Sequence, residues 1–363
     1  MRIKKIHIQN FKSLVDFQLE DLKPFCAFLG PNASGKSNIF EALEFTNNIL
    51  RYKFTASDFF GGKKNIFSFN SQKILNENFD VQKHQSFNYQ FQDTVYISFF
   101  LEYERRSEQL SQIDFLEDDE GIITLDSVMD INKRKEFIAT LEKGNNVYEG
   151  DYEQFIDNFS RIFVGNSKLV RINQPSPSSK LLSDGSNLSQ IIGQIFQDEN
   201  KREDFIEWLQ ILIPEFQNIE VKQSNIDGSF EFFIYEKSSN KPFPKYLISD
   251  GTYNILALMA AVYQNSQPQF LCIEEPENGL HPEAIELLVD FFKEKCEQEG
   301  HHIWLNTHSA TLVRCLEIDE IILVNKINGE TKARQLIKND NVNIKTDEAW
   351  LSNALGGGVS WSR

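Results

Sequence analysis

The pattern of apolar and polar residues near the start of the chain predicts three strands followed by a helix. Residues 3–8 and 14–19 alternate between apolar and polar side chains, whereas residues 25–29 form a continuous apolar run typical of a buried strand. Apolar residues then recur at helical spacing from Ile39 to Phe45. The segment between the buried strand and this helix is therefore predicted to be a loop.

The second half of the chain alternates strands with helices. Strands are predicted over 219–221, 230–235, 269–273 and 302–305, and helices over 188–213, 251–262 and 283–295. This order predicts an α/β fold with a largely parallel sheet. No internal repeat or sustained heptad pattern is present, which excludes a long coiled coil.

A change of pattern between these halves predicts an insertion. Residues from about 55 to 170 are rich in Asn, Gln and Phe, with one alternating strand over 94–101. We therefore expect three segments: an N-terminal part of the core over 1–54, an α+β insertion over 55–170, and a part over 171–363 that begins with a helical lobe and completes the core.

Composition narrows the class of protein. The chain has 363 residues, of which 40% are hydrophobic, and no run of eighteen or more is apolar, so we expect a soluble cytoplasmic protein without a membrane segment. Its net charge of −16 argues against a surface that is basic all over, although a local basic groove for DNA stays open. The four cysteines lack C-x-x-C spacing, which favours buried reduced thiols.

The loop between strand and helix reads Gly30-Pro31-Asn32-Ala33-Ser34-Gly35-Lys36-Ser37 and fits G-x-x-x-x-G-K-[ST] at every fixed position. Such a loop binds phosphates through successive backbone N–H groups and the helix N-terminus. The predicted phosphate-binding residues are Asn32, Ala33, Ser34, Gly35, Lys36, Ser37 and Asn38. Lys36 is predicted to reach the β- and γ-phosphates and Ser37 to ligate Mg²⁺. The alternative is a chance glycine turn before a helix, which the flanking strand and helix disfavour.

Two acids, Glu274 and Glu275, end the apolar strand over 269–273, where an open α/β sheet places its ligand site. We assign Glu274 to the metal and Glu275 to the general base that takes a proton from the attacking water. The alternative is an acidic helix cap, because Pro276 and Glu277 also suit the first turn of a helix.

Two further motifs carry candidate chemistry. His308, in Asn306-Thr307-His308-Ser309, follows a strand and can sense a γ-phosphate, although a packed or capping histidine is the alternative. Ser249-Asp250-Gly251-Thr252 precedes a helix, so its hydroxyl and amides form a second anion site. A single nucleotide needs only one such loop.

Taken in order, these motifs and the Pro-Glu-Asn-Gly-Leu-His-Pro run after the acids resemble ABC-type ATPases, and more narrowly their RecF/OLD-like branch. The opening Ile8-Gln9-Asn10-Phe11-Lys12-Ser13 and the run Asp184-Gly185-Ser186-Asn187-Leu188 are also similar to that branch. The resemblance covers about 1–54 and 180–330. It implies the fold of an ABC-type head, a P-loop NTPase with a helical lobe.

The resemblance also implies how two copies of the chain share ATP. Ser249 and Gly251 would press on the γ-phosphate held by the partner subunit's Lys36, in a head-to-tail homodimer or higher oligomer. Asn278 would lie in the loop that crosses the interface, and His308 would be the switch histidine. Residues Asn10 to Ser13, among them Lys12, would lie near the nucleotide base or phosphates.

The chain departs from the family pattern at several points. Glu274 stands where the family commonly has Asp, so its magnesium contact is expected to be looser or water-mediated. Gln72, Gln90 and Gln174 are equal candidates for the Q-loop glutamine. The stretch after His308 is too short for the TOPRIM nuclease domain of OLD proteins. ATP is preferred over GTP because Asn328 replaces the Asp of a guanine-reading N-K-x-D.

These observations predict an ATP hydrolase that dimerises on ATP and regulates a separately encoded effector, a nuclease or toxin, in bacterial anti-phage defence. The biological role rests on analogy with relatives of this architecture. One alternative is a DNA-repair clamp of RecF/SMC type. Another is a scaffold that binds ATP structurally and hydrolyses it negligibly.

Overall fold

The computed structural model describes residues 2–52, 95–103, 106–108, 112–117, 123–126, 158–163, 179–224, 228–337 and 346–351. These residues belong to two compact units that interleave along the chain. The first unit comprises Met1–Lys23, Gly30–Asp157 and Ile322–Leu336, and the second comprises Pro24–Leu29, Asn158–Ile321 and Ile337–Arg363.

The strands are β1 (Arg2–Phe11), β2 (Leu14–Glu20), β3 (Phe25–Leu29), β4 (Val95–Tyr103), β5 (Arg106–Glu108), β6 (Gln112–Glu117), β7 (Ile123–Asp126), β8 (Phe159–Phe163), β9 (Phe216–Gln223), β10 (Phe230–Glu236), β11 (Phe243–Pro244), β12 (Phe270–Glu274), β13 (His302–Thr307), β14 (Ile321–Ile327) and β15 (Glu330–Gln335). The helices are α1 (Lys36–Tyr52), α2 (Leu188–Ile195), α3 (Glu199–Leu212), α4 (Asp250–Tyr263), α5 (Pro282–Glu299), α6 (Ala310–Arg314) and α7 (Thr346–Leu351), and a 3₁₀ turn spans Ile318–Glu320.

The first unit contains an antiparallel sheet and a hairpin. The sheet has the order β2-β1-β4-β6-β7, with β5 paired to β4. Strands β14 and β15 pair through a tight turn at Asn328 and Gly329, whose φ angles of 52° and 87° are those that a two-residue hairpin turn requires. Helix α1 packs on β1 through the rings of Phe11 and Phe45, whose centroids are 5.6 Å apart.

The second unit is built on a parallel sheet. Strand β12 pairs with β8 on one side and with β13 on the other, and β13 also pairs with β3. Every residue of β3, β12 and β13 is buried, because helices cover both faces of a parallel sheet. Trp304 is fully buried at its centre, against the rings of Phe28 and Phe270. The fold is therefore α/β with a parallel core, as predicted.

A smaller antiparallel sheet, β9-β10-β11, completes the second unit together with the helices. Helix α2 packs closely on β10, since a Cβ at Gly193 would lie 2.4 Å from the ring of Phe230. The helical stretch predicted over 188–213 is in fact two helices. The chain turns after Ile195, and Asp198 then caps α3 by accepting hydrogen bonds from the N–H groups of Asn200 and Lys201.

Three further sequence predictions concern the cysteines, membrane segments and the insertion. Cys26, Cys272 and Cys296 are buried as expected, whereas Cys315 is only partly buried. Burial raises the pKa of Cys296 to about 12 and that of Cys26 well above its ordinary value. None of the helices in the described ranges has the length and apolar character needed to cross a membrane. Within the predicted insertion, β8 is a strand of the parallel sheet beside β12.

Candidate nucleotide-binding site

The phosphate loop lies in the first unit, directly after the last residue of β3. Ala33 and Gly35 have φ angles of 63° and 96°, in the left-handed region, and α1 begins at Lys36. The N–H of Ser34 donates to the carbonyl of Pro31 at 3.2 Å. Residues of alternating hand before a helix N-terminus direct successive amides towards one side and bind anions.

Lys36 curls back over its own loop. Its Nζ donates to the carbonyl oxygens of Gly30 at 2.7 Å and Pro31 at 3.1 Å, and the residue is 8% exposed. The Lys36 ammonium is therefore held at the backbone of the loop. In loops of this type the lysine contacts the phosphate oxygens of a bound nucleotide.

A hydroxyl from the β14–β15 hairpin supports the phosphate loop through hydrogen bonds. Thr331 is fully buried, and its Oγ1 donates to the carbonyl of Ser34 at 2.9 Å and lies 2.6 Å from Oγ of Ser13. A Cβ at Gly35 would lie 1.9 Å from Thr331 Oγ1, and one at Gly30 would lie 2.1 Å from the carbonyl oxygen of Val324. Both motif glycines are therefore required by contact with the hairpin.

The turn between β1 and β2 provides the other brace. Ser13 is 8% exposed, accepts a hydrogen bond of 2.6 Å from the amide of Asn38, and accepts the N–H of Thr331 on its carbonyl at 2.7 Å. Lys12 forms an ion pair with Glu41 of α1. The sequence predicts that Lys12 and Ser13 contact the nucleotide. In the structure, these two residues support the phosphate loop and α1.

In the second unit, Glu274 and Glu275 diverge where β12 ends. Glu274 is 7% exposed, and its Oε2 accepts from the amide of Asn306, its parallel neighbour on β13, at 3.3 Å. Its Oε1 accepts from Nε of Arg161 on β8 at 2.6 Å. Glu275 follows with φ of 49°, and this left-handed turn sends its side chain into more open surroundings. Different environments allow two adjacent acids to differ in role.

The Glu275 carboxylate lies between an amide and an imidazole. Nδ2 of Asn278 donates to its Oε2 at 2.9 Å, and Nδ1 of His308 lies 3.5 Å from its Oε1. The side chains of Glu275 and His308 are 34% and 45% exposed. The structure therefore brings together three residues that the sequence predicted separately, leaving the carboxylate accessible to water.

Glu277 fixes the turn that carries His308, a role that sequence reasoning missed. Its Oε1 accepts from the Thr307 hydroxyl at 2.6 Å and from the His308 N–H at 3.3 Å. Its Oε2 is buried and has no hydrogen-bond partner within the described ranges. Burial raises the pKa of Glu277, while the Thr307 hydroxyl opposes the rise.

The predicted second anion site lies at the start of α4 in the second unit. Ser249 is exposed and caps the helix by accepting the Thr252 N–H at 3.1 Å. Gly251 approaches the loop after the acids so closely that a Cβ there would lie 2.5 Å from the carbonyl oxygen of Gly279. Asn254 donates to the carbonyl of Asn278 at 2.7 Å. The Ser249 turn and the Asn278 loop are thus one packed assembly.

A surface cleft of about 250 Å³ opens beside this assembly. Ser249, Thr252 and Leu280 line it, together with residues at the end of α3. Two large apolar residues shortly before Ser249 are exposed, Tyr246 at 65% and Leu247 at 63%, whereas Ile248 is buried. Surfaces of this kind commonly mark sites of protein contact.

Oxygen donors for magnesium are present, although few. No group of three or more His, Cys, Asp or Glu side chains among the residues described could hold a metal ion. Mg²⁺ in nucleotide sites needs only one or two protein oxygens, because phosphates and water supply the others. The Ser37 hydroxyl in the first unit and the Glu274 carboxylate in the second are each oxygen donors of that kind, and Glu274 Oε1 already accepts a hydrogen bond from Arg161.

The Q-loop candidates Gln72, Gln90 and Gln174 lie outside the described residues. Strand β8 ends at Phe163, next to Glu274 in the parallel register. The side chain of Asn10 also belongs to the part of the chain that is not described.

A complete phosphate loop and a parallel sheet whose central strand ends in paired acids define a P-loop ATPase of the ABC type. The chain belongs to the family described as "AAA domain, putative AbiEii toxin, Type IV TA system", whose sequence model matches residues 25–314. A comparison with curated proteins found no match. The family identifies the chain as a nucleotide-binding P-loop protein.

Solved structures similar to this fold include heads of SMC proteins. An Smc head bound to the C-terminal winged-helix domain of ScpA has a TM-score of 0.57 and 17% identity, covering 93% of this chain and 98% of that one. An Smc head with an extended coiled coil, bound to the C-terminal domain of ScpA from Pyrococcus furiosus, has a TM-score of 0.55 and 13% identity, covering 97% and 98%. The SMC head from Thermotoga maritima has a TM-score of 0.50 and 15% identity, covering 93% and 100%. At these identities the likeness establishes the fold alone.

Proposed function

We propose that the chain binds ATP with Mg²⁺ and hydrolyses it. The observation that carries this proposal is the Glu275 carboxylate, held between Asn278 and His308 beyond the end of a parallel strand and still accessible to solvent. A carboxylate placed in this way can accept a proton from a water molecule that attacks the γ-phosphate.

The other residues take the roles that their chemistry suits. The backbone N–H groups of residues 32–38 hold the phosphates, and the Lys36 ammonium neutralises their charge. Ser37 and Glu274 supply oxygen ligands for Mg²⁺, and Glu275 is the general base. His308 contacts the γ-phosphate and responds to its loss. Ser13 and Lys12 act on the nucleotide through the loop and α1.

The direct test is ATP turnover and binding by purified Lys36→Ala. We expect loss of binding by at least about 100-fold, because no other described group replaces the ammonium at the loop carbonyls. The matched control is Lys241→Ala, which removes an exposed lysine of the second unit and should leave turnover unchanged. Full ATPase activity in Lys36→Ala would refute the site assignment.

We further propose that ATP joins two copies head to tail. The exposed Ser249 cap and the exposed side chains of Tyr246 and Leu247 support this, because a second copy can reach them. In this arrangement Ser249 and Gly251 bind the γ-phosphate held by the partner. Asn278, at the edge of the same assembly, links partner contact to the orientation of Glu275.

The biological proposal is a cytoplasmic switch of the RecF/OLD-like branch, with its core over 1–54 and 171–363 together with β8, that regulates a separately encoded nuclease or toxin in anti-phage defence. The family description, which names a toxin of a type IV toxin–antitoxin system, supports the defence role alone. Co-expression with the adjacent open reading frame tests it. Toxicity that depends on intact Lys36 supports the proposal, and toxicity indifferent to Lys36→Ala contradicts it.

The likeness to SMC heads favours a second candidate, a DNA clamp whose ATPase times its loading. ATP turnover with and without duplex ends distinguishes the two. Strong stimulation by DNA that disappears as salt rises supports the clamp, since phosphate contacts release counterions. The effector proposal predicts no such stimulation.

A further inference from the structure

Arg161 is a cation next to the predicted metal ligand that no motif revealed. It lies on β8 opposite Cys272 of β12, and its Nε donates to Glu274 Oε1 at 2.6 Å. Nη2 of the same guanidinium also contacts that oxygen. The side chains of Arg161 and Glu274 are only 17% and 7% exposed. The pair is therefore largely withdrawn from water. Away from water, the attraction between the two charges is stronger.

An ion pair in this position affects ligand binding as well as folding. A carboxylate at the nucleotide end of the sheet attracts a divalent cation and repels a triphosphate. A guanidinium on one of its oxygens reduces both effects at once, because it cancels most of the carboxylate charge. An ion pair that only stabilised the fold would not need to involve the predicted metal ligand Glu274.

We propose that Arg161 is a positioning residue that holds the Glu274 carboxylate and cancels its charge, so that the site accepts the triphosphate with little dependence on a divalent cation. The inference rests on the proposed function, since it requires Glu274 to lie at the bound nucleotide. Arg161 thereby sets how strongly metal and ATP binding depend on each other.

The test compares the dissociation constant of ATP in Mg²⁺ with that in excess EDTA. The ratio of the constant in EDTA to the constant in Mg²⁺ reports the metal dependence and cancels any uniform loss of affinity. In Arg161→Gln the uncompensated carboxylate repels metal-free ATP, and we expect the ratio to rise about tenfold. Arg161→Lys keeps the charge and should stay within about threefold of the wild type.

The partner variant gives an independent measurement. Glu274→Gln removes the repelling charge and leaves the guanidinium facing the nucleotide, so ATP should bind more tightly in EDTA, by about tenfold. The Gln oxygen can still accept a hydrogen bond from Arg161, so this variant keeps the inference testable where Arg161→Gln, which leaves a buried carboxylate without its guanidinium, fails to fold.

The possible results distinguish a failure of this inference from a failure of the proposed function. An unchanged ratio in folded Arg161→Gln, or unchanged affinity of Glu274→Gln in EDTA, overturns the inference and leaves a purely structural ion pair. A wild-type chain that binds ATP under neither condition overturns the proposed function as well.

Discussion

The phosphate loop differs in construction from the carboxylate cluster, which comprises Arg161, Glu274, Glu275 and His308. The loop is one contiguous segment, and contacts from Ser13, in the turn after β1, and from Thr331, on β15, fix its shape. The cluster takes each functional group from a different place: Arg161 from β8, Glu274 from β12 and His308 from the end of β13. A local motif carries its chemistry in its own sequence, whereas a dispersed site depends on strand register.

The largest expected effect tests the dispersed cluster. His308→Ala removes the imidazole beside Glu275 while leaving the phosphate loop intact, so turnover should fall about 100-fold with ATP affinity nearly unchanged. Steady-state ATPase assays and equilibrium binding measure the two quantities. His7→Ala, a histidine of β1 in the first unit, is the control and should retain full turnover. Equal losses of affinity and turnover in His308→Ala would show that the cluster binds ATP without taking part in hydrolysis.

A smaller effect tests the brace of the loop. Thr331→Val keeps the shape of the side chain and removes the hydroxyl that bonds Ser34 and Ser13. Because a buried hydrogen-bond partner is then left unpaired, we expect ATP affinity to fall about five- to tenfold. Thr331→Ser restores the hydroxyl and should bind within about twofold of the wild type. If the Val and Ser variants bind ATP equally, the hydroxyl does not position the loop.

The smallest effect concerns Glu277 and pH. Its raised pKa in the folded chain means that protonated Glu277 stabilises the fold at low pH and that this stabilisation is lost as pH rises through the raised pKa. Glu277→Gln removes that dependence. The Tm of Glu277→Gln relative to wild type should therefore increase by about 3 °C between about pH 4 and about pH 7.5. A Tm difference that is the same at both pH values would contradict the account.

The sequence revealed the loop more completely than the cluster because their information is distributed differently. Periodicity and the eight-residue motif predicted β3, the loop and α1 without any knowledge of distant contacts. The paired acids and His308 were found from their positions at strand ends. Their neighbours Arg161 and Glu277 were missed, because only the register of β8 beside β12 and the turn after β13 bring them there.

Thr331 and β8 show the same limit in the fold. Thr331 is an ordinary residue of a hairpin strand, and its separation from Ser34 in the sequence hides a contact of 2.9 Å. Strand β8 has only five residues, Phe-Ser-Arg-Ile-Phe, too few for a periodic signal. A reliable signal for either would have been tertiary pairing, which a single sequence does not contain.

The central claim, that two copies of the chain share each ATP, is tested most directly by the size of Glu275→Gln with ATP and Mg²⁺. Loss of the proposed general base should leave binding intact and block hydrolysis, so the ATP-bound assembly should persist. We predict that size-exclusion chromatography shows a dimer with ATP and a monomer without it, and that adding Ser249→Arg to the same variant restores the monomer. An elution volume of Glu275→Gln that is identical with and without ATP, under conditions where ATP is bound, would contradict the account.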